Sequence, residues 1–275
     1  MGFTIKQLLA DPELFLTSLD TCTETVLDNE FAERFEEWKA RGEGRGHLVR
    51  SSSLGTCIRQ AYYSYLSDVE RTPVTDPMAR RRMFLGFVNE NTMGRILSEL
   101  PGKIHGLKSI EQNQDPIHLE MDVEKKIGFA ATTDYVMEYT SGGQKYLIPL
   151  ELKSTGIYKW KDFTYWKYHL KQLLLWVYIA KELGYNVPYA VLLYTRTSTM
   201  EMKTCTIAVD TKYSKMGRVI ESWEHWRPYI HDLVQTLRES ARSNRLPEKP
   251  SDVPQYICNS CPHFAICMRD ENIGK

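Results

Sequence analysis

Four cysteines near opposite ends of the chain constrain its fold more than any other feature. Cys258, Cys261 and Cys267 form a C-x2-C-x5-C cluster, and Cys57 lies about 200 residues upstream. Four thiolates are the usual ligands of one iron–sulfur cluster or one structural zinc ion. A metal bound by all four would close the chain into a loop, so that its two ends fold as one unit.

The bulk composition is typical of a globular protein. The chain has 275 residues, 42% of them hydrophobic, and its 35 basic and 35 acidic side chains cancel. This balance argues against binding nucleic acid by bulk charge, so any such contact needs a local patch. No apolar run approaches the roughly 20 residues of a membrane span, and the N-terminus does not resemble a secretion signal. We therefore expect no membrane partner and a reducing, cytoplasmic location in a bacterial or virus-infected cell, where clustered cysteines favour metal over disulfides.

Hydrophobic periodicity predicts an α/β chain. Residues 1–50 are expected to form an N-terminal helical segment, with two helices over 3–40, and residues 51–275 to form one domain closed by the four cysteines. Within that domain the pattern predicts helices before and after a small sheet, which is typical of an α/β or α+β domain. The predicted helices lie at about 77–100, 161–183 and 211–242, and the predicted strands include 117–124, 188–196 and 200–209.

A glycine turn predicts that two acidic residues face each other. The sequence Ser-Gly-Gly-Gln at 141–144 is a hairpin signal. If the hairpin is symmetrical about this turn, Asp134 lies opposite Glu151, with Cβ atoms about 5 Å apart. Lys153 follows Glu151 by two residues and so points to the same face of the strand.

This acidic pair and its lysine have the chemistry of a metal-dependent nuclease. Two close carboxylates favour a shared proton or a divalent cation, and Mg²⁺ is often held by one or two carboxylates together with a substrate phosphate. Lys153 could then orient or deprotonate an attacking water and offset charge on phosphorus. The alternative is a structural salt bridge between Lys153 and Asp134 or Glu151, because this motif also occurs by chance.

Aromatic and basic side chains flank the acidic hairpin. Aromatic rings alternating with cations are how single-stranded nucleic acid is held without base readout. Packing against the sheet is the alternative for the aromatics, and a solvated face is the alternative for the arginines. The candidates for DNA contact are Arg81, Arg82, Tyr158, Trp160, Lys161, Trp166, Trp176 and Tyr178.

Together these residues resemble the PD-(D/E)xK superfamily, specifically the RecB-like nucleases with an iron–sulfur cluster, a group that includes the CRISPR-associated exonucleases. The resemblance runs from about Cys57 to Cys267. In that family one cysteine precedes the nuclease core and three follow it with the spacing found here. The metal-binding aspartate of the family matches Asp134, and its acid-x-lysine motif matches Glu151 and Lys153.

Other family positions match with substitutions. The glutamine of the family matches Gln172, but the aromatic residue four positions later is Trp176, where tyrosine is usual. The early metal ligand, four residues after Gly86, is Glu90 where histidine is common. In the family a glycine-led turn usually precedes the aspartate, whereas here the residues before Asp134 are Ala-Thr-Thr at 131–133.

The resemblance implies a restriction-endonuclease-like mixed central sheet flanked by helices, with an iron–sulfur-stapled C-terminal tail. It implies an enzyme that uses Mg²⁺ or Mn²⁺ to hydrolyse DNA, and a structural 4Fe-4S cluster held by the four cysteines. Glu90, Asp134, Glu151 and the backbone carbonyl of Leu152 are then the metal ligands. Lys153 would serve the attacking water, and Gln172 would position DNA or Lys153.

These features predict a DNA exonuclease that acts on single-stranded ends in repair, recombination or end processing, with a helicase or recombination partner. One alternative is a nuclease-like module that binds DNA ends without cutting them. Another is a zinc-stapled structural protein, in which the four cysteines suffice as ligands or His263 replaces one of them. The other histidines, His169 among them, show no ligand or triad spacing.

Overall fold

The computed structural model describes Asn29 and residues 47–66, 77–101, 107–112, 116–122, 127–156, 160–199, 201–210 and 219–273. Two compact units make up the chain: Met1–Arg45 with Val74–Phe84, and Gly46–Pro73 with Leu85–Lys275. In the first unit, Asn29 and the helical residues 77–84 are described. The two helices predicted over 3–40 lie outside the described residues except for Asn29. Among the described residues, no helix is long and apolar enough to cross a membrane.

Seven helices and nine strands are resolved within the described residues. In chain order they are β1 (His47–Arg50), α1 (Ser51–Thr56), α2 (Ile58–Tyr65), α3 (Pro77–Ser98), β2 (Leu107–Gln112), β3 (Ile117–Asp122), β4 (Ile127–Ala131), β5 (Tyr135–Ser141), β6 (Gln144–Thr155), α4 (Lys167–Glu182), β7 (Tyr189–Arg196), β8 (Met202–Ala208), β9 (Val219–Ser222), α5 (Trp223–Ser243), α6 (Gln255–Asn259) and α7 (Phe264–Ile273).

The strands of the second unit form two sheets. The larger sheet has six strands in the order β2-β5-β6-β7-β8-β9, and the smaller has the order β1-β4-β3. In the larger sheet β6 pairs antiparallel with β5 and parallel with β7. A parallel pair needs a crossover connection, and α4 provides it between β6 and β7. The predicted mixed central sheet flanked by helices is confirmed.

The β5–β6 hairpin has the predicted register. Its turn residues Gly142 and Gly143 have φ values of 57° and 77°, which side chains other than glycine rarely adopt. The pairing runs from Ser141 opposite Gln144 to Tyr135 opposite Leu150. Because both turn residues have positive φ, the two-residue turn matches the twist of the strands and sets their alignment.

Strand β6 presents different side chains to the two faces of the sheet. Leu150 and Leu152 pack in a hydrophobic cluster with Met93 and Leu97 of α3. The alternate residues Glu151 and Lys153 point to the other face, because side chains alternate along a strand. One strand therefore carries both a core layer and the acid-x-lysine motif.

Helix α4 covers the face that carries Glu151. Ten of its residues are buried, from Leu170 to Ala180, and this burial on all sides is typical of a helix inside a core. Helix α1 packs tightly against it at Gly55, where an added Cβ would lie 2.8 Å from the backbone nitrogen of Gln172. Gly55 thus permits an approach that a larger residue would prevent.

Three predicted element boundaries are wrong. Helix α4 begins at Lys167 rather than 161, and the preceding loop is held by the Lys203 ammonium, which donates to the carbonyls of Trp160, Lys161 and Phe163 at 2.5, 2.7 and 3.0 Å. The predicted helix 211–242 begins only at Trp223, because Val219–Ser222 pairs with β8. Residues 47–50, assigned to the helical segment, form strand β1 because they pair with β4.

Candidate active site

The predicted catalytic side chains meet where β5 begins. Asp134 lies immediately before β5, and its Oδ2 accepts a 2.6 Å hydrogen bond from the backbone N–H of Leu152. Glu151 is 1% exposed, and its Oε1 accepts from Lys153 Nζ and from Gln172 Nε2, at 2.5 and 2.7 Å. Three separate segments, the start of β5, β6 and α4, therefore bring these polar groups together.

Burial and charge set the protonation of this cluster. Burial raises the pKa of Glu151 to about 7; Lys153 acts against this rise and the charge of Asp134 adds to it. Burial also raises the pKa of Asp134, against the opposing effects of Lys153 and the Leu152 N–H. Burial lowers the pKa of Lys153, but the carboxylates of Glu151 and Asp134 outweigh it and leave that pKa above its usual value. Lys153 is therefore a stable cation beside two carboxyl groups.

One oxygen of Glu151 is suited to a cation. Glu151 Oε2 is buried and has no hydrogen-bond partner within the described residues. A buried carboxylate oxygen without a partner is costly, and a bound divalent ion would remove that cost. Yet in the described part of the chain no three His, Cys, Asp or Glu side chains are placed to share one ion. The geometry fits a site with two carboxylates completed by water and phosphate, as Mg²⁺ prefers.

Glu90 lies on α3 at the edge of this cluster. Its Oε1 accepts a 2.7 Å hydrogen bond from Gln112 Nε2, and its backbone carbonyl accepts one from the Tyr135 hydroxyl. The negative charge of Glu90 contributes to the raised pKa of Lys153, so the two side chains are neighbours. As a metal ligand it remains a prediction.

Comparison with known proteins identifies the family of this site. The model of the PD-(D/E)XK nuclease superfamily matches residues 89–268, a span that includes Glu90, Asp134, Glu151, Lys153 and Gln172. The chain belongs to the PD-(D/E)XK nuclease superfamily. Membership implies nuclease chemistry, the hydrolysis of phosphodiesters, for which members of the superfamily typically use Mg²⁺ or Mn²⁺.

Other comparisons add little to the superfamily assignment. Among solved structures the chain matches one described as "Crystal structure of SSO0001", with 16% identity and a TM-score of 0.49 over 90% of this chain and 96% of that chain. The comparison with curated proteins gives no match.

The four cysteines border one pocket of this nuclease. Cys57, Cys258, Cys261 and Cys267 all line it, together with His263. The sequence prediction that the two ends of the domain meet at these residues agrees with this placement. The His263 ring lies 3.2 Å from the Ser64 hydroxyl at Nε2.

The pocket supplies hydrogen bonds to the cysteine sulfurs. Cys57 precedes α2, and the N–H groups of Arg59 and Gln60 lower its thiol pKa, although burial outweighs them and raises it. Burial raises the pKa of Cys261 to about 11. Arg59 Nη1 donates to Cys267 Sγ at 3.7 Å. Buried thiols surrounded by N–H donors are suited to binding a metal as thiolates, since bound metal replaces the proton.

Three aromatic residues predicted to contact DNA are part of the core. Trp160, Trp176 and Tyr178 are 6%, 1% and 8% exposed and belong to the main hydrophobic cluster. A ring this deeply buried offers no face to a base, so the packing alternative holds for all three. Trp176 follows Gln172 by four residues, and both lie on α4 as predicted.

The other predicted DNA contacts have more varied positions. Lys161 is exposed and Trp166 is half-buried in the loop before α4. Arg81 is half-buried in the helical residues of the first unit. The side chain of Arg82 and all of Tyr158 lie outside the described residues. DNA contact by these residues stays a prediction.

Sequence reasoning missed two polar residues beside Lys153. His169 precedes Gln172 by three residues on α4, and Tyr194 pairs with Lys153 across the parallel strands β6 and β7. The helical spacing between His169 and Gln172 is a signal that could have identified the histidine, because residues three apart share a helix face.

Proposed function

We propose that this nuclease is a metal-dependent DNA exonuclease that acts on single-stranded ends in repair, recombination or end processing. The observation that carries the proposal is the cluster in which Glu151 accepts from Lys153 and Gln172, while Asp134, which is held by the Leu152 N–H, acts on both Glu151 and Lys153 through its charge. One buried oxygen of Glu151 has no partner in the described residues. Two buried carboxyl groups beside a single lysine can carry more negative charge than that lysine cancels, which favours a bound cation over a simple salt bridge.

Each side chain has a distinct role in this proposal. Asp134 and Glu151 would hold Mg²⁺ or Mn²⁺ together with water and substrate phosphate, and Glu90 and the Leu152 carbonyl are the further ligands that the family resemblance predicts. When bound, such an ion stabilises charge on the phosphate and makes water a better nucleophile. Lys153 remains protonated and offsets charge that develops on phosphate oxygens. Gln172 donates to Glu151 Oε1 and so fixes which oxygen faces the ion.

The proposed preference for single-stranded ends is supported by the exposed Lys161 and the half-buried Trp166, which precede α4. A segment that offers both a cation and an aromatic ring can hold a flexible strand through its backbone and bases. The formal net charge of zero favours such a local contact over a broad basic surface. A helicase or recombination partner would supply single-stranded ends to this site.

We also propose that the four cysteines hold a 4Fe-4S cluster that fastens the C-terminal tail to α2. All four border one pocket. Four thiolates complete the ligand set of one 4Fe-4S cluster. The C-x2-C-x5-C spacing with one distant cysteine resembles that of the iron–sulfur nucleases, and this resemblance favours a cluster over one structural zinc ion.

The test of the nuclease proposal uses Lys153→Ala and a matched variant, Lys145→Ala. Lys145 lies on the same strand but is 61% exposed and pairs with Glu138. Labelled single strands blocked at the 5′ or 3′ end are incubated with each protein, with and without Mg²⁺. We expect Lys153→Ala to fold normally and lose cleavage, and Lys145→Ala to cleave like the unaltered protein. Undiminished cleavage by Lys153→Ala would refute the assignment.

The cluster is tested separately by anaerobic purification. We expect a brown protein with iron and acid-labile sulfide in a 1:1 ratio, and loss of both in Cys261→Ser. A colourless protein with stoichiometric zinc would favour the zinc alternative, and it would leave the nuclease proposal intact.

A further inference from the structure

His169 and Tyr194 approach the active site from the side opposite Asp134. Strand β6 lies between β5 and β7 in the sheet, so Asp134 adjoins it on one side and Tyr194 on the other. Tyr194 is paired with Lys153, and side chains paired in this way point to the same face. His169 lies one helical turn before Gln172, which contacts Glu151 from α4.

Hydrogen bonds determine which nitrogen of His169 carries its proton. The Tyr194 hydroxyl oxygen accepts from the backbone N–H of Trp166 at 3.1 Å and lies 2.9 Å from His169 Nδ1. The Tyr194 hydroxyl also has one proton to donate. Within this group the acceptor for that proton is His169 Nδ1, so Nδ1 must itself be unprotonated. The neutral ring then has its proton on Nε2, which makes Nε2–H a hydrogen-bond donor.

The surroundings of His169 keep it uncharged. Its ring contacts those of Trp166, Tyr168 and Tyr194, with centroids 5.4, 4.3 and 5.8 Å away. Burial, and to a smaller extent the charge of Lys153, lowers the pKa of His169 to about 2. Lys153 is 22% exposed and His169 is half-buried, so both side chains reach the surface. A neutral donor is thus held next to the catalytic cation.

We propose that His169 is a further substrate-binding residue of this nuclease, whose Nε2–H donates to a non-bridging phosphate oxygen of the bound strand beside Lys153. Tyr194 is its positioning residue, since the hydroxyl of Tyr194 fixes the tautomer. This inference rests on the proposed nuclease function. It assigns to phosphate recognition a pair of residues that a packing role alone would not require to be polar.

Three variants separate this role from packing. His169→Phe fills the aromatic site without a donor, His169→Gln retains a donor, and Tyr194→Phe retains the ring but loses the hydroxyl. His118, exposed on β3, provides the matched control His118→Phe. Rates on labelled single strands with Mg²⁺ give kcat and KM, and fluorescence anisotropy with Ca²⁺ gives binding without turnover. Circular dichroism and Tm report the fold.

A hydrogen bond to a charged group predicts that His169→Phe lowers kcat/KM about ten- to hundred-fold. We expect His169→Gln to recover part of that loss, Tyr194→Phe to fall between them, and His118→Phe to match the unaltered protein. If His169→Phe does not fold, the other two variants carry the test: kcat/KM should be lower for Tyr194→Phe than for His169→Gln, and both should be lower than for the unaltered protein. Equal kcat/KM for the unaltered protein and the folded variants overturns the inference but leaves the nuclease function standing. An unaltered protein that neither cuts nor binds nucleic acid overturns both.

Discussion

Replacing Gly55 by alanine tests whether the tight contact between α1 and α4 positions Gln172 in the active site. The added methyl carbon would lie 2.8 Å from the Gln172 backbone nitrogen, 3.0 Å from its Cα and 3.2 Å from its Cβ. Two of these three are backbone atoms and cannot rotate away. Ordinary contact distances begin at about 3.5 Å, so the two helices must separate by roughly 0.7 Å. Gln172 would move with its helix and away from Glu151 Oε1.

The expected effects follow from this displacement. Overpacking of a tight contact costs about 1–3 kcal/mol, which for a chain of this size lowers Tm by about 3–10 °C. A shift approaching 1 Å in a catalytic group can reduce the rate by about 10- to 100-fold. We therefore expect Gly55→Ala to lose cleavage activity at temperatures where it remains folded.

Thermal unfolding and initial cleavage rates on labelled single strands measure the two effects. Gly156→Ala is the control, because its methyl group would meet only the Thr197 hydroxyl at the ordinary distance of 3.7 Å. If Gly55→Ala matches Gly156→Ala in both Tm and rate, the tight contact between α1 and α4 does not position Gln172, and the reasoning is refuted.

Three further predictions concern stability. Lys203→Met removes the ammonium that binds three carbonyls of the loop before α4, so we expect the free energy of unfolding in urea to fall by about 1–3 kcal/mol. In the control Lys145→Met, which breaks an exposed ion pair, the same free energy should change by less than about 0.5 kcal/mol. Lys171 is buried and paired with Asp252 at 2.9 Å, so Lys171→Met should leave the tail open to limited proteolysis near that residue; unchanged digestion would contradict this role. His169 has a folded-state pKa of about 2, below its usual 6.5. Its contribution to stability is therefore complete above pH 6.5 and is lost as the pH falls towards the folded-state value, by at most about 1.4 kcal/mol per pH unit. The difference in unfolding free energy between the unaltered protein and His169→Phe should thus shrink between pH 7 and pH 5, and a constant difference would show that the histidine titrates when folded.

The parts of the site that sequence could predict depend on short-range rules. The Gly142–Gly143 turn determines which residues face each other, so the register up to the pair Tyr135 and Leu150, next to Asp134 and Glu151, follows from counting. The meeting of Cys57 with the distant cysteine cluster follows from the number of ligands that a metal centre requires. Both inferences hold whatever the packing around them.

The parts that failed depend on packing. Trp176 and Tyr178 point in different directions on α4, yet both are buried, because this helix is enclosed on all sides. A sequence pattern cannot separate an aromatic residue that packs in a core from one that binds a base. Gly55 has the same limitation, since its importance lies in a contact with Gln172, more than 100 residues away in sequence.

The alternation along β6 has a consequence for insertions and deletions. One residue added between the glycine turn and Glu151 would exchange the two faces of the strand, sending the Glu151 carboxylate towards Met93 and Leu97 of α3 and a leucine towards Gln172. The composition would hardly change, but the hydrophobic packing against α3 and the acid-x-lysine site would both be lost. Insertions and deletions should therefore be tolerated in the loops of this protein. Between the glycine turn and Glu151, residues can be substituted but their number must stay the same.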